Sequence, residues 1–208
     1  MKYITNTQIG ELLRLMNQNR YYIATRIFEV NMVGVRVDSV IPNIFDDVMY
    51  VFYKNQSNNW EGVSFVITSD PGTYWLRNPM MPQGTAILKR GQYPYKIGTH
   101  NDYRALVQRG EVTVIRDHNR DNRRDYDNGR EEKGMFQINI HRARRVGTTI
   151  SIDKNSAGCQ VFANADDFAY FMELVSRSVK MYGDKTLFYT LFDYRVINRL
   201  QPLTLATL

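Results

Sequence analysis

The chain has 208 residues, 43% of them apolar, with one cysteine, three histidines and a net charge of +6. That length and apolar content suit one domain with a real core. A single cysteine excludes an intramolecular disulfide, and one cysteine with three scattered histidines excludes a Cys-His zinc cluster. The positive balance suits an anionic partner such as nucleic acid, a membrane surface or a bacterial wall polymer, and it equally suits a soluble protein with a mildly basic surface.

The chain opens Met1-Lys2-Tyr3-Ile4-Thr5-Asn6, with no apolar run behind the charge, so no signal peptide is expected. Residues 5–20 read as a helix: Thr5 and Gln8 are spaced for a capping box, and Ile9, Leu12, Leu13 and Met16 share a face. Residues 26–40 read as extended, with a change of face near Met32-Val33-Gly34 that suggests a bulge, and Pro42-Asn43 breaks the run. Residues 48–53 and 63–68 read as strands joined by a polar loop. The first of these is the longest apolar run and is far too short to span a bilayer. Asp70-Pro71-Gly72 marks a turn.

Residues 73–91 read as irregular, and they bring Tyr74, Trp75 and Arg77 together with methionines and prolines at 79–82. Such a stretch lines a substrate groove or forms the covered edge of a core. His100 falls in an expected turn, with no spacing that ties it to the cysteine. Residues 105–116 read as strand-like. In residues 117–133, Asp117, Asn119, Asp121 and Asp125 are spaced like a calcium loop, but Asn122 and Asn128 stand at its defining glycine and glutamate positions. The expectation there is a solvated loop with internal ion pairs and no metal. Its only aromatic is Tyr126, so no single-strand stacking platform and no nucleic-acid partner are expected. Residues 164–181 read as a helix capped by Asn164 and ended by Gly183, with Phe168, Phe171, Met172, Val175 and Val179 on its apolar face. Residues 186–192 read as a strand, and the leucine-rich tail 200–208 has no assigned role.

The stretch that carries chemistry is 135–162. Phe136, Ile138 and Ile140 alternate with Gln137, Asn139 and His141, which puts His141 beside Asn139 on the polar face. Eighteen residues after His141 comes the one cysteine, in the small-residue turn Ser156-Ala157-Gly158-Cys159. A cysteine nucleophile needs a base or a depressed pKa to present its thiolate near neutral pH, and His141 is the obvious partner. Gly158 allows close approach, and the amides around Gly158 and Cys159 suit an oxyanion. Asn139 is one group that would orient His141. Arg142, Arg144 and Arg145 lie close by in the sequence, suited to carboxylates or merely exposed.

This stretch resembles the signature of the L,D-transpeptidase (YkuD-type) catalytic domain: a histidine, about fourteen to seventeen residues, then Ser/Thr-His-Gly-Cys. Fourteen residues separate His141 from Ser156, and Ser156, Gly158 and Cys159 stand in the matching places. Pro82-Gln83-Gly84-Thr85 is similar to a turn the family has upstream, and the likeness extends over about residues 45–192. Three positions depart from the family pattern: Ala157 replaces the second histidine, Arg142 the glycine after the first, and Gln160 the arginine after the cysteine.

The resemblance implies an α+β fold with a β-rich, YkuD-like sandwich core and flanking helices. The expected organisation is a single domain: a helical extension over 1–25, a catalytic core over 26–195 and a tail over 196–208. It implies a cysteine acyl-transfer enzyme acting on peptidoglycan stem peptides, as a lysin-like hydrolase or a transpeptidase, without a cofactor. Cys159 would be the nucleophile, His141 the base, Gly158 part of the oxyanion site, and the Arg142 carbonyl or Asn139 the group that orients His141. Ser156, Gln160, Arg144, Tyr74 and Trp75 are the candidate substrate-binding residues. With no visible signal peptide, synthesis in the cytoplasm is expected, with delivery to the wall by lysis, a holin pore or a virion. The alternative is an inactive wall-binding or virion structural module on the same scaffold.

Overall fold

The computed structural model describes residues 1–37, 43–126 and 129–194. In chain order the elements are β1 (Lys2–Tyr3), α1 (Asn6–Gln18), β2 (Asn31–Arg36), β3 (Asp47–Lys54), β4 (Trp60–Thr68), α2 (Thr73–Arg77), β5 (Thr85–Leu88), β6 (Gly91–His100), β7 (Tyr103–Gln108), β8 (Val112–Asp117), β9 (Arg130–Gly134), β10 (Ile140–Arg142), β11 (Gln160–Phe162), α3 (Ala165–Tyr182) and β12 (Phe188–Asp193). The protein is a strand-rich α+β structure with one large sheet and few helices.

Among the described residues the large sheet has nine strands in the order β1-β4-β11-β10-β7-β6-β12-β2-β3, and β3 also pairs with β4. That last pairing closes the sheet into a ring, with β1 appended along β4. Closure removes the free edges that an open sheet leaves unpaired. The strands are antiparallel except for two parallel pairs, β12 on β2 and β10 on β11. A smaller sheet, β5-β8-β9, lies beside the turn that carries Cys159.

Apolar patterning explains the layers. Met32, Met49, Val51, Phe65 and Ile67 face one way and pack with Phe168, Phe171 and Val175 of α3. Val33, Val35 and Phe52 face the other way and pack with Ile9, Leu12, Leu15 and Met16 of α1. β2 is therefore buried on both faces along its whole length. The change of face expected at Met32-Val33-Gly34 is not a bulge: β2 pairs with β3 in unbroken register, and the apolar residues continue because both sides are covered. Gly34 serves close approach instead. A Cβ there would lie 1.9 Å from the Tyr189 hydroxyl.

Both long helices begin as the sequence predicts. Thr5 and Gln8 form a reciprocal capping box, with bonds of 3.2 and 2.8 Å. Asn164 accepts from the amides of Asp166 and Asp167 at 2.8 and 2.9 Å, and Gly183 ends α3 with φ +77°. Elsewhere the boundaries differ. The segment read as irregular holds α2 and β5. The run over 105–116 is two strands in different sheets, β7 and β8, separated by a turn at Gly110. His100 is not in the turn but ends β6, and the turn follows at Asn101 and Asp102. The tail over 200–208 lies outside the described residues.

The charged segment is less solvated than its composition suggests. Arg124 pairs with the buried carboxylate of Asp70, which also receives the Tyr126 hydroxyl and lies 3.2 Å from Arg36. In the loop itself, Asn119 donates to Asp121 and Asp125 at 3.2 and 2.6 Å. Among the described residues no group of three or more histidine, cysteine, aspartate or glutamate side chains is placed to hold a metal. No described helix is long and apolar enough to cross a membrane.

Candidate active site

The parallel pair β10–β11 builds the site. Its register sets His141 beside Val161, and the Gln160 amide bonds the Asn139 carbonyl at 2.9 Å, so Cys159 enters the pair level with Asn139. Facing residues of a parallel pair share a side of the sheet, and two steps along a strand is one full pleat. Cys159, Asn139 and His141 therefore share one side, with Cys159 and His141 on a diagonal about 8 Å between Cα atoms. Both line one cavity of about 1160 Å³, together with Trp75, His100, Tyr103 and Arg142.

The strand reading of 136–141 is correct only at its end. Regular pairing begins at Ile140, and Gln137 takes φ +57°. The polar face is not a solvent face: Asn139 and His141 are 7% and 6% exposed. His141 lines the cavity, and Asn139 bonds His100, which lines it too.

The imidazole is held by the backbone. Nδ1 of His141 lies 2.9 Å from the carbonyl oxygen of Arg142, which also accepts the Tyr103 hydroxyl at 3.2 Å. A carbonyl can only accept, so Nδ1 carries the proton and Nε2 is left as the basic nitrogen. Asn139, the other group considered for this orienting role, turns its side chain elsewhere: Nδ2 lies 3.1 Å from Nδ1 of His100, and Oδ1 accepts from the Gln108 amide at 3.2 Å. The His100 ring lies flat on His141, centroids 4.1 Å apart and planes within 17°.

Burial sets the charge state of both side chains. It lowers the His141 pKa to about 4, opposed by the bond to Arg142, and charge on the facing His100 would add to the lowering. Burial pushes the Cys159 thiol up to about 11, opposed by the Asn139 amide, which points at the sulfur from 3.4 Å. The resting pair is thus a neutral thiol and a neutral imidazole. Of the two routes expected from the sequence, a base or a depressed pKa, this environment does not favour the second, because burial raises the thiol and no cation is bonded to the sulfur among the described contacts.

The turn before Cys159 is shaped by its own hydroxyl. Ser156 is buried, accepts from the Gly158 amide at 3.2 Å and donates to the Cys159 carbonyl at 2.9 Å. It builds the turn and does not face the cavity, which corrects its reading as a substrate contact. It also engages one of the two amides expected to hold an oxyanion. Gly158 has φ +121°, and a Cβ there would meet the Ala86 carbonyl oxygen at 2.3 Å, so the position takes only glycine.

Gln160 is likewise a brace and not a substrate contact. It is fully buried, donates to the Gly158 carbonyl at 3.4 Å and accepts the Tyr189 hydroxyl at 2.8 Å. Of the remaining candidates, Trp75 and Arg144 line the cavity. Tyr74 is exposed outside that lining, edge-on to Trp75 at 4.9 Å with the Lys154 ammonium over its ring. Arg142 stacks its guanidinium 4.1 Å from the Tyr103 ring centroid. Sequence reasoning missed Tyr103, Gln108 and Tyr189, and left His100 unconnected. Only long-range strand pairing brings these four to the site, so no local spacing reveals them.

No family model, curated protein or solved structure matches the chain.

Proposed function

We propose that the protein is a cysteine acyl-transfer enzyme acting on peptidoglycan stem peptides, on a YkuD-like scaffold. The observation that carries this reading is that Cys159 and His141 both line one cavity, with Nδ1 of His141 committed to the Arg142 carbonyl. The order histidine-then-cysteine and the Ser156-x-Gly158-Cys159 turn support it through the resemblance.

In the proposed reaction Nε2 of His141 takes the thiol proton as the Cys159 sulfur attacks a peptide carbonyl carbon. The carbonyl electron pair moves to oxygen, where the Cys159 amide is the donor the reading relies on, since the Gly158 amide is engaged by Ser156. Collapse breaks the C–N bond, and the departing amine takes the proton from His141. The resulting thioester is attacked by water or by an acceptor amine, with His141 again as base, and the thiol is restored. Starting from neutral partners suits this route: proton transfer and attack are coupled, and no resting ion pair is needed.

A second reading has its own support. A thiol raised to about 11, an engaged Gly158 amide and alanine at position 157 are what an inactive wall-binding or virion module on the same scaffold would carry. Digestion of purified peptidoglycan by the wild-type chain and by Cys159→Ala, read by mass spectrometry of released muropeptides, separates them. Fragments or cross-links that vanish in the variant are expected, and their masses name the bond. Identical profiles with retained sedimentation on the wall would establish the binding module instead.

A further inference from the structure

Asn139 joins His100 to the cysteine. Its backbone amide points at the Cys159 sulfur from 3.4 Å, and its side-chain nitrogen lies 3.1 Å from Nδ1 of His100. The orientation of that side chain is set by a third contact: Oδ1 accepts from the Gln108 amide at 3.2 Å, which leaves the NH₂ group facing His100. An NH₂ group only donates, so Nδ1 of His100 must accept, and the ring proton belongs on Nε2; Nδ2 of the exposed Asn101 lies 3.2 Å from Nε2, so that amide must turn over and accept the proton with its oxygen. Protonating Nδ1 would set two donors against each other. Asn139 therefore holds His100 neutral, and partial burial of the ring works in the same direction.

This neutral ring lies flat against His141 and edge-on to Tyr103, at centroid distances of 4.1 and 5.9 Å. Two parallel imidazoles at that spacing do not both carry charge, so the stack takes one proton at a time. We infer that His100 is a positioning residue for the Cys159–His141 pair: it fixes the plane of the His141 ring and, being locked neutral by Asn139, confines the transferred proton to His141. This rests on the reading of Cys159 and His141 as nucleophile and base. The ionisable groups around the stack are Tyr103 on β7, Arg142 on β10, Cys159 ahead of β11, Asp102 in the hairpin turn, and Arg144 and Arg145 in the crossover. Against Tyr103, α3 presents the apolar Phe168.

The lock is reversed by one isosteric change. In Asn139→Asp the atom facing His100 becomes an acceptor, which draws a proton onto Nδ1 and makes His100 a cation against His141. The probe is 4-nitrophenyl acetate. Thioester formation on Cys159 breaks the ester C–O bond and releases 4-nitrophenolate, with the thiol proton passing through His141. The acid limb of this acylation in pH is expected to move up by about one unit or more in Asn139→Asp. Adding His100→Phe, which keeps a stacked ring but removes the titrating nitrogen, is expected to return the limb to its wild-type position.

A limb that stays shifted in the double variant would assign the effect to the new carboxylate acting directly, and would overturn the role of His100. So would an unshifted limb in Asn139→Asp. Nitrogen-15 spectra of the histidines in the wild-type chain give a measurement independent of any variant's folding. A neutral His100 with its proton on Nε2 between about pH 5 and 8 is expected, and a proton on Nδ1 there would overturn the lock. The peptidoglycan digestion stays separate. A chain inert toward the wall polymer whose acylation limb obeys the double variant keeps the inference and loses only the substrate. A limb that His141→Ala does not move overturns the base and this inference together.

Discussion

The Arg142 carbonyl oxygen and Nδ1 of His141 lie 2.9 Å apart, and that contact leaves Nε2 as the ring's open basic nitrogen. With His141 lowered to about 4 and Cys159 raised to about 11, the pair holds its thiol proton across the neutral range. Acylation by 4-nitrophenyl acetate is expected to be flat with pH above about 5 and to fall as His141 takes a solvent proton near 4. Simple alkylation by iodoacetamide, which needs the free thiolate, is expected to climb steadily toward pH 11 without a neutral plateau. His141→Ala is expected to lower the acylation plateau by ~10²–10⁴. Fast alkylation that is level through about pH 6 to 8 would mean a preformed thiolate–imidazolium pair and would refute the neutral resting state.

Gly158→Ala tests the turn without touching a reacting atom. The new methyl group would sit at 2.3 Å from the Ala86 carbonyl, on a residue whose φ is +121°. β5 or the turn has to move, at a cost of about 1–3 kcal/mol. Acylation of Cys159 is expected to fall at least tenfold, with a lowered melting temperature as the second readout. Unchanged values of both would show that β5 does not confine the turn.

The sequence announces what is local and hides what is distant. The capping box at Thr5 and the Asn164 cap are readable because donor and acceptor lie within three residues. His141 and Cys159 are readable because a strand, a crossover and a turn bring them together within one short stretch. Gln160 and Ser156 sit in that same stretch, but their roles are not visible there. Gln160 is a brace only because Tyr189 of β12 reaches it across the space left by Gly34. Alternation of polar and apolar residues gives the correct face for Asn139 and His141 and says nothing of what covers it. The covering ring, His100, arrives from the far end of β6 through the β6–β7 hairpin.

Arg142 has two roles that mutation separates. Its carbonyl holds His141 whatever the side chain is, while its guanidinium, stacked on Tyr103, lines the cavity. A guanidinium so placed suits a substrate carboxylate. Arg142→Gln is expected to raise KM about tenfold or more for a stem peptide with a free carboxylate, with kcat little changed, and to leave acylation by the uncharged ester near wild type. An equal loss with both substrates would place the effect on the backbone of β10 and exclude carboxylate binding.

Asp117 gives a prediction about stability that is independent of the reaction. Its side chain is fully buried at the end of β8, one oxygen accepts the Asp125 amide at 3.2 Å, and the other has no hydrogen-bond partner among the described residues. Burial raises its pKa to about 6, with the charges of Asp125 and Asp121 adding to the effect. The folded state thus prefers the neutral acid, while the unfolded chain ionises near the ordinary carboxylate value of about 4. Between those values the unfolded chain binds fewer protons, so this residue costs stability as pH rises from about 4 to 6, and the cost is constant above. An asparagine at this position would mimic the neutral acid permanently, so Asp117→Asn is expected to stabilise the protein at about pH 8 by about 1–2 kcal/mol, or roughly 2–6 °C in Tm. Below about pH 4 the two chains are expected to melt together. Equal melting at the higher pH as well would show that the ionised carboxylate is compensated where it sits.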